Sequence, residues 1–178
     1  MMRRFRGRLA ALVSMAGLSL TAAACGPRGP VSASDTVVQF YVMLEVSGVR
    51  SIPEPRALLA LEPYLTPSLA AQLRAAYAYR DSVVAAGARA PAPFSEGDPF
   101  SGLFEGQTQY VIKNTTTRGD SAFVLVNFSN TEQKPPVSWN DTVVVVRADR
   151  TWRVADIRYG AGWEFGYRGA LTQLLSKR

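Results

Sequence analysis

Apolar residues in the first third of the chain recur with the period of an α-helix. The first helix is predicted from four of them, which follow the i, i+3, i+4, i+7 spacing of one helix face: Val37, Phe40, Tyr41 and Leu44. Ser34 or Asp35 is a suitable cap for its start, and Gly48 suits its end. The pattern therefore predicts an amphipathic helix directly after a segment rich in Gly, Pro and Ser.

Two further helices are predicted before residue 87. Prolines surround the apolar run of the second helix, which we place at Pro55 to Glu62. Thr66 and Pro67 form a cap followed by a first-turn proline, so the third helix should begin there and continue to about Ala86.

The second half of the chain changes to short segments rich in Val, Thr, Tyr, Phe and Trp, separated by turn residues. The four predicted strands are Gln107 to Thr117, Ser121 to Ser129, Asp141 to Ala148 and Thr151 to Tyr159. Short turns join neighbouring strands antiparallel, and four consecutive valines at 143–146 indicate a central strand that is apolar on both faces.

A short closing helix is predicted within Tyr167 to Lys177, where Leu171, Leu174 and Leu175 have helical spacing. Helices followed by antiparallel strands give an α+β fold: N-terminal helices packed on a sheet of about four strands, with a short C-terminal helix.

The link from Ala86 to Gly106 has no helical or strand pattern, and links of this length inside a domain are often functional. Phe94, Phe100 and Phe104 argue against disorder, because segments that cannot bury aromatic residues are depleted in them. They form either a lid over a cavity or a plug in the open end of the fold. The plug is favoured, since exposed aromatic residues lower solubility.

The first 24 residues have the layout of an export signal: four arginines among the first eight residues, an apolar stretch from Leu9 to Leu20, then small residues. Such a stretch is shorter than the roughly 20 residues of a membrane-spanning helix. The only cysteine, Cys25, follows at once. The stretch LTAAACGP resembles the lipobox of bacterial lipoproteins, although Ala22 stands where leucine is usual. The resemblance implies cleavage before Cys25 and diacylglycerol on its sulfur, whereas an ordinary signal peptidase would leave the same cysteine without lipid.

Three regions follow: a signal peptide at 1–24, a lipidated tether at 25–34 and one α+β domain at 35–178. Without the signal arginines, 16 basic residues stand against 14 acidic ones, so the net charge falls from +6 to +2.

Basic residues form no long run, so we expect no nucleic-acid partner. The expected partners are the membrane, through the lipid, and an unknown protein or small ligand. Gly26 after the cysteine favours the outer membrane, facing the periplasm, if the source is Gram-negative.

The absence of histidine constrains the chemistry most, because it removes the commonest base near neutral pH and any imidazole metal site. We therefore expect no metal and no cofactor. An aspartate base with a tyrosine donor in an apolar cavity remains conceivable, as in ketosteroid isomerase. Asp98, Asp156, Tyr41 and Tyr110 are the candidates. The competing interpretation makes Asp98 a turn former, Asp156 a solvated strand residue and both tyrosines core residues.

Several segments resemble the nuclear transport factor 2-like (cystatin-like) fold and, more narrowly, a bacterial domain-of-unknown-function family of small lipoproteins. They are VVQFYVML in the first helix, YLTPSLAAQL in the third, DPFSG before the first strand and WRVADIRYG before the last helix. The likeness covers about residues 34–176. It implies a curved sheet wrapped around helices to form a cone, and the closing helix departs from the usual ending on a strand.

The leading hypothesis is a noncatalytic envelope lipoprotein, a binding or structural module whose cone or sheet face takes a ligand or a protein. The alternative is a periplasmic enzyme that uses a cavity carboxylate and tyrosine, and a third hypothesis is an immunity-type inhibitor of a toxin. No catalytic residue is assigned. The residues predicted to line a pocket or lid are Tyr41, Phe94, Asp98, Phe100, Phe104, Tyr110, Asp156 and Trp163.

Cys25→Ala should release the protein from the membrane fraction or stall its processing, because two or three acyl chains bind a membrane far more firmly than one. Intact-mass measurement of the processed wild-type protein should show an N-terminal cysteine carrying diacylglycerol. A processed protein with an unmodified Cys25 would refute lipidation.

Overall fold

The protein is described here by a computed structural model that covers residues 31–164 and 166–177. Helix α1 runs from Ala33 to Val46 and begins earlier than predicted. Ser32, rather than Ser34 or Asp35, is its cap: the Ser32 hydroxyl accepts the Asp35 N–H at 3.1 Å, and the Asp35 carboxylate accepts the Ser32 N–H at 3.1 Å. This reciprocal capping box starts the helix two residues before the predicted domain boundary at 35.

The other two N-terminal helices lie close to their predicted positions. Helix α2 is Pro55–Leu61, followed by a 3-10 turn at Glu62–Tyr64, and α3 is Pro67–Ala85. The hydroxyl of Thr66 accepts the N–H of Leu69 at 3.2 Å, so the predicted cap of α3 is confirmed.

The four strands form one antiparallel sheet in the order of the sequence. They are β1 (Gln109–Arg118), β2 (Ser121–Asn130), β3 (Val137–Ala148) and β4 (Thr151–Arg158). The predicted start of β3 at Asp141 was wrong, because Val137 to Asn140 already pair with β2. Its polar residues at 138 and 140 alternate with Val137 and Trp139, which is the pattern of a strand with two different faces.

One face of the sheet carries the core. Along β2 every second residue from Ala122 to Asn130 is buried, and the others are half-buried. Strand β3 lies between β2 and β4, with Val143 and Val145 buried and Val144 and Val146 half-buried. The interior place predicted for the valine run is therefore confirmed. Helices α1 and α3 contribute Phe40, Leu69 and other fully buried side chains to this core.

Strand β4 is an edge strand that other segments cover. The N–H of Thr66, just before α3, donates to the carbonyl of Val154 at 2.9 Å. Beyond the end of β4, the N–H of Tyr159 donates to the carbonyl of Gly169 at 3.0 Å. These contacts satisfy backbone groups that an open sheet edge would leave unpaired.

The closing helix, α4, is Leu171–Leu175, shorter than the predicted segment. Leu171 and Leu175 are fully buried and Leu174 is half-buried. Asp156 of β4 holds its first turn, since its carboxylate accepts the N–H of Thr172 at 3.0 Å and the Thr172 hydroxyl at 2.9 Å. The helix is therefore docked by both apolar and polar contacts.

Leu171→Ala should lower the free energy of unfolding by about 2–5 kcal/mol, because it leaves a cavity under α4. Urea unfolding of the two proteins measures the difference. Leu59→Ala is the control: this leucine is 66% exposed and its truncation should change stability by less than about 0.5 kcal/mol. Equal effects of the two substitutions would show that α4 is not docked.

Candidate functional site

A cavity of about 360 Å³ lies between the C-terminal half of α1, the turn that follows it and the start of β1. Three of the residues predicted for a pocket line it: Tyr41, Asp98 and Tyr110. The remaining lining residues are Leu44, Glu45, Val49, Arg50, Gln107, Thr108, Gln109 and Val111. The structure therefore brings an aspartate, two tyrosines and an arginine to one cavity.

The link from Ala86 to Gly106 contributes Asp98 to this cavity and buried aromatic residues to the core. Phe94 and Phe100 are almost completely buried, and the Phe100 ring lies edge-on to Phe40 at 5.8 Å. Phe104 is half-buried, with its ring centre 6.3 Å from that of Tyr167. These contacts agree with the plug and not with an open lid, because the first two rings are inside the core.

Tyrosine hydroxyls hold the backbone of this link in place. Tyr41 donates to the carbonyl of Phe100 at 2.9 Å, and Tyr159 donates to the carbonyl of Pro99 at 2.7 Å. Tyr110 donates at 3.4 Å to the carbonyl of Val38 in α1. Both tyrosines that sequence reasoning offered as donors to a substrate therefore already have backbone acceptors.

Asp98 is both a turn former and a buried acid. Its Oδ1 accepts the N–H of Phe100 at 2.9 Å, which is the local turn expected of aspartate before proline. Only 3% of the residue is exposed. Gly106, with a φ of +78°, passes so close that a Cβ there would lie 2.7 Å from Oδ2 of Asp98. The close approach completes the enclosure of the carboxyl group.

Burial raises the pKa of Asp98 from 3.8 to about 6, because the charged form loses hydration. The Phe100 N–H and the positive charge of Arg50 act in the opposite direction and offset part of this effect. Asp98 therefore keeps its proton to a higher pH than an exposed aspartate does.

Five of the eight residues predicted for a pocket or lid do not line this cavity: Phe94, Phe100 and Phe104 of the link, together with Asp156 and Trp163. Asp156 accepts hydrogen bonds from Thr172 and from the N–H of Ile157, so it holds the start of α4 and is not a free, solvated strand residue. Trp163 packs edge-on against Trp139, with ring centres 5.4 Å apart. Neither residue lines the Asp98 cavity. Cys25, the predicted lipidation site, lies outside the described residues.

Sequence reasoning missed Asp141, which is buried and accepts hydrogen bonds from three directions. Its donors are the N–H of Gly102 at 2.6 Å, the N–H of Gly160 at 2.8 Å and the indole Nε1 of Trp139 at 3.0 Å. Burial raises its pKa, although these hydrogen bonds oppose the change. The alternation of β3 could have revealed it, because position 141 has the same parity as Trp139, Val143 and Val145.

Within residues 31–164 and 166–177, no group of three or more His, Cys, Asp or Glu side chains is arranged to hold a metal ion. In the same part of the chain, every helix is too short or too polar to cross a membrane.

Comparison with family models, with characterised proteins and with solved structures finds no match to this chain.

Asp98→Asn should make the protein more stable at pH 7.5, by about 1–3 kcal/mol. Folded Asp98 keeps its proton up to about pH 6, whereas the unfolded chain releases it near 3.8, so the wild-type free energy of unfolding falls as pH rises through this window. Asparagine retains an oxygen for the Phe100 N–H and has no charge to bury.

Urea unfolding at several pH values between 3 and 8 measures the difference between the two proteins. The exposed Asp81 provides the matched control, since Asp81→Asn should leave the pH dependence unchanged. If the free energies of unfolding of wild type and Asp98→Asn differ by the same amount from pH 4 to pH 7, the raised pKa of Asp98 is contradicted.

Proposed function

We propose that the protein is an envelope lipoprotein of the nuclear transport factor 2-like kind, anchored through Cys25, whose domain binds a small ligand without transforming it. The order of helices and antiparallel strands supports this fold assignment. Ser32, the cap of α1, follows Cys25 by only seven positions, which span at most about 25 Å when extended. A lipid on Cys25 would therefore keep the domain at the membrane surface.

The observation that carries the binding proposal is how the polar groups around the cavity are engaged. The hydroxyl of Tyr41 and Oδ1 of Asp98 both bond to the backbone of Phe100. Catalysis requires groups that are placed to interact with charge developing on a substrate. Because the Tyr41 hydroxyl and Asp98 Oδ1 are already paired with the backbone, they suit a rigid binding surface better than a catalytic site.

The walls of the cavity suggest the chemistry of its ligand. Leu44, Val49 and the ring of Tyr110 are apolar surfaces, whereas Arg50 and Gln109 offer hydrogen-bond donors. Small-ligand sites commonly combine apolar walls with a few polar groups that fix orientation. We infer a small ligand with both hydroxyl or carbonyl groups and an apolar face, such as one sugar unit of a glycan.

A periplasmic enzyme is the second candidate, and one observation favours it. Asp98 is buried beside Tyr110 with a pKa raised to about 6, which suits a general base near neutral pH. This candidate requires Asp98 to take a proton from a substrate in the cavity. It predicts a reaction that Asp98→Asn abolishes, which the binding proposal does not.

The experiment uses the processed protein purified from its own membranes in detergent. After denaturation, mass spectrometry of the released small molecules should find one in an amount comparable to that of the protein. Gln109→Trp places a bulky ring in the cavity wall and should remove this molecule. Thr116→Trp is the control, because it adds the same ring to an exposed position of β1 outside the cavity.

The released molecule is then returned to fresh wild-type and Asp98→Asn protein. An unchanged mass with both proteins supports binding without turnover. A change of mass with wild type alone would replace the binding proposal with the enzyme. Equal recovery from Gln109→Trp and wild type would mean that the ligand lies outside this cavity.

A further inference from the structure

A second cavity, of about 470 Å³, shares only Val49 and Arg50 with the Asp98 cavity. It lies between the turn after α1, the start of α2 and the side of α3. Its charged lining residues are Arg50, Arg56, Arg80 and Glu54, and the hydroxyl residues Ser47 and Ser51 complete its polar wall. We call it the arginine cavity.

The three arginines come from three different segments and converge on one space. Among the residues that the structure describes, the salt bridges are Arg74–Glu62, Arg89–Glu96 and Arg147–Asp120. None of them involves an arginine of this cavity, where Glu54 is the single carboxylate. The lining carries three arginines against one glutamate, so its net charge is positive and its like charges repel one another. A bound anion with more than one negative charge would offset this repulsion.

Two of the guanidinium groups are already oriented by the fold. Arg80 lies over the ring of Tyr77 at 4.7 Å and donates to the carbonyl of Ile52 at 3.2 Å. Arg50 donates at 3.3 Å to the carbonyl of Gln107, a residue of the Asp98 cavity, so its guanidinium lies at the boundary between the two cavities. Each guanidinium has five N–H donors, so one such bond leaves most of them for a ligand. Their planar fork matches the oxygens of a phosphate group.

We propose that the arginine cavity binds a phosphate group. Phosphate offers several oxygens and, as a monoester or diphosphate, more than one negative charge, so it can meet two or three guanidinium groups at once. The phosphate belongs either to a lipid headgroup or to a soluble phosphate ester. This site is separate from the ligand of the Asp98 cavity, because Arg56, Arg80 and Glu54 line only the arginine cavity.

The test is a calorimetric titration of the processed protein with two probes at constant ionic strength. Inorganic pyrophosphate represents a soluble phosphate, and dihexanoylphosphatidic acid below its micelle concentration represents a lipid headgroup that is a phosphate monoester. Arg56→Gln should weaken binding about tenfold, the usual effect of losing one charge-assisted contact. Glu54→Gln should strengthen binding several-fold, because it removes the opposing charge.

Arg118→Gln is the matched control, since it removes one exposed arginine on the β1–β2 hairpin and lies outside the cavity. Its binding should equal that of wild type, and thermal melting should show all three variants folded. Pyrophosphate binding with this pattern supports a soluble phosphate, and phosphatidic acid binding with this pattern supports a headgroup. The proposal is overturned if neither probe binds, or if Arg56→Gln and Arg118→Gln weaken binding equally. Gln109→Trp should not affect either probe, so this site and the Asp98 cavity can fail independently.

Discussion

The hydrogen bonds of the buried Asp141 carboxylate are the interaction on which the positions of the long link and the chain after β4 depend. They join the centre of the sheet to Gly102 in the long link and to Gly160 after the last strand. Burying a carboxyl group is unfavourable unless its oxygens are satisfied, and three donors from different segments satisfy them here. The long link and the end of the chain are therefore held to the same strand.

Once the link is held at Gly102, its aromatic residues complete the core. The ring of Phe100 packs beside that of Phe40. Tyr41 donates a hydrogen bond to the carbonyl of Phe100, and Tyr159 donates one to the carbonyl of Pro99. The same arrangement encloses Asp98 and raises its pKa. The interior beneath the link is filled with side chains, so the cavities lie beside α1 and not at the centre of the sheet.

The two cavities meet at Arg50 and differ in chemistry. The Asp98 cavity combines apolar walls with an acid, whereas the arginine cavity is lined by three arginines and one glutamate. Both adjoin the turn between α1 and α2 and share Val49 and Arg50. If Cys25 is lipidated as proposed, the short tether before Ser32 holds both cavities near the membrane surface.

Much of the fold could be predicted from local patterns, because a helix or strand is set by residues close to one another in the sequence. The cap of α3 at Thr66, the interior place of the valine run and the sequence of elements all follow from such patterns. The layout around Cys25 likewise predicts export and lipidation from sequence alone. Tertiary structure decided the rest. Asp98, Tyr41 and Tyr110 line one cavity because the link folds back on α1. Asp156 accepts a hydrogen bond from Thr172 and therefore lies away from that cavity. Arg50, Arg56 and Arg80 likewise share one cavity only because three segments converge. Contacts between residues so distant in the chain depend on packing, which no local spacing reveals.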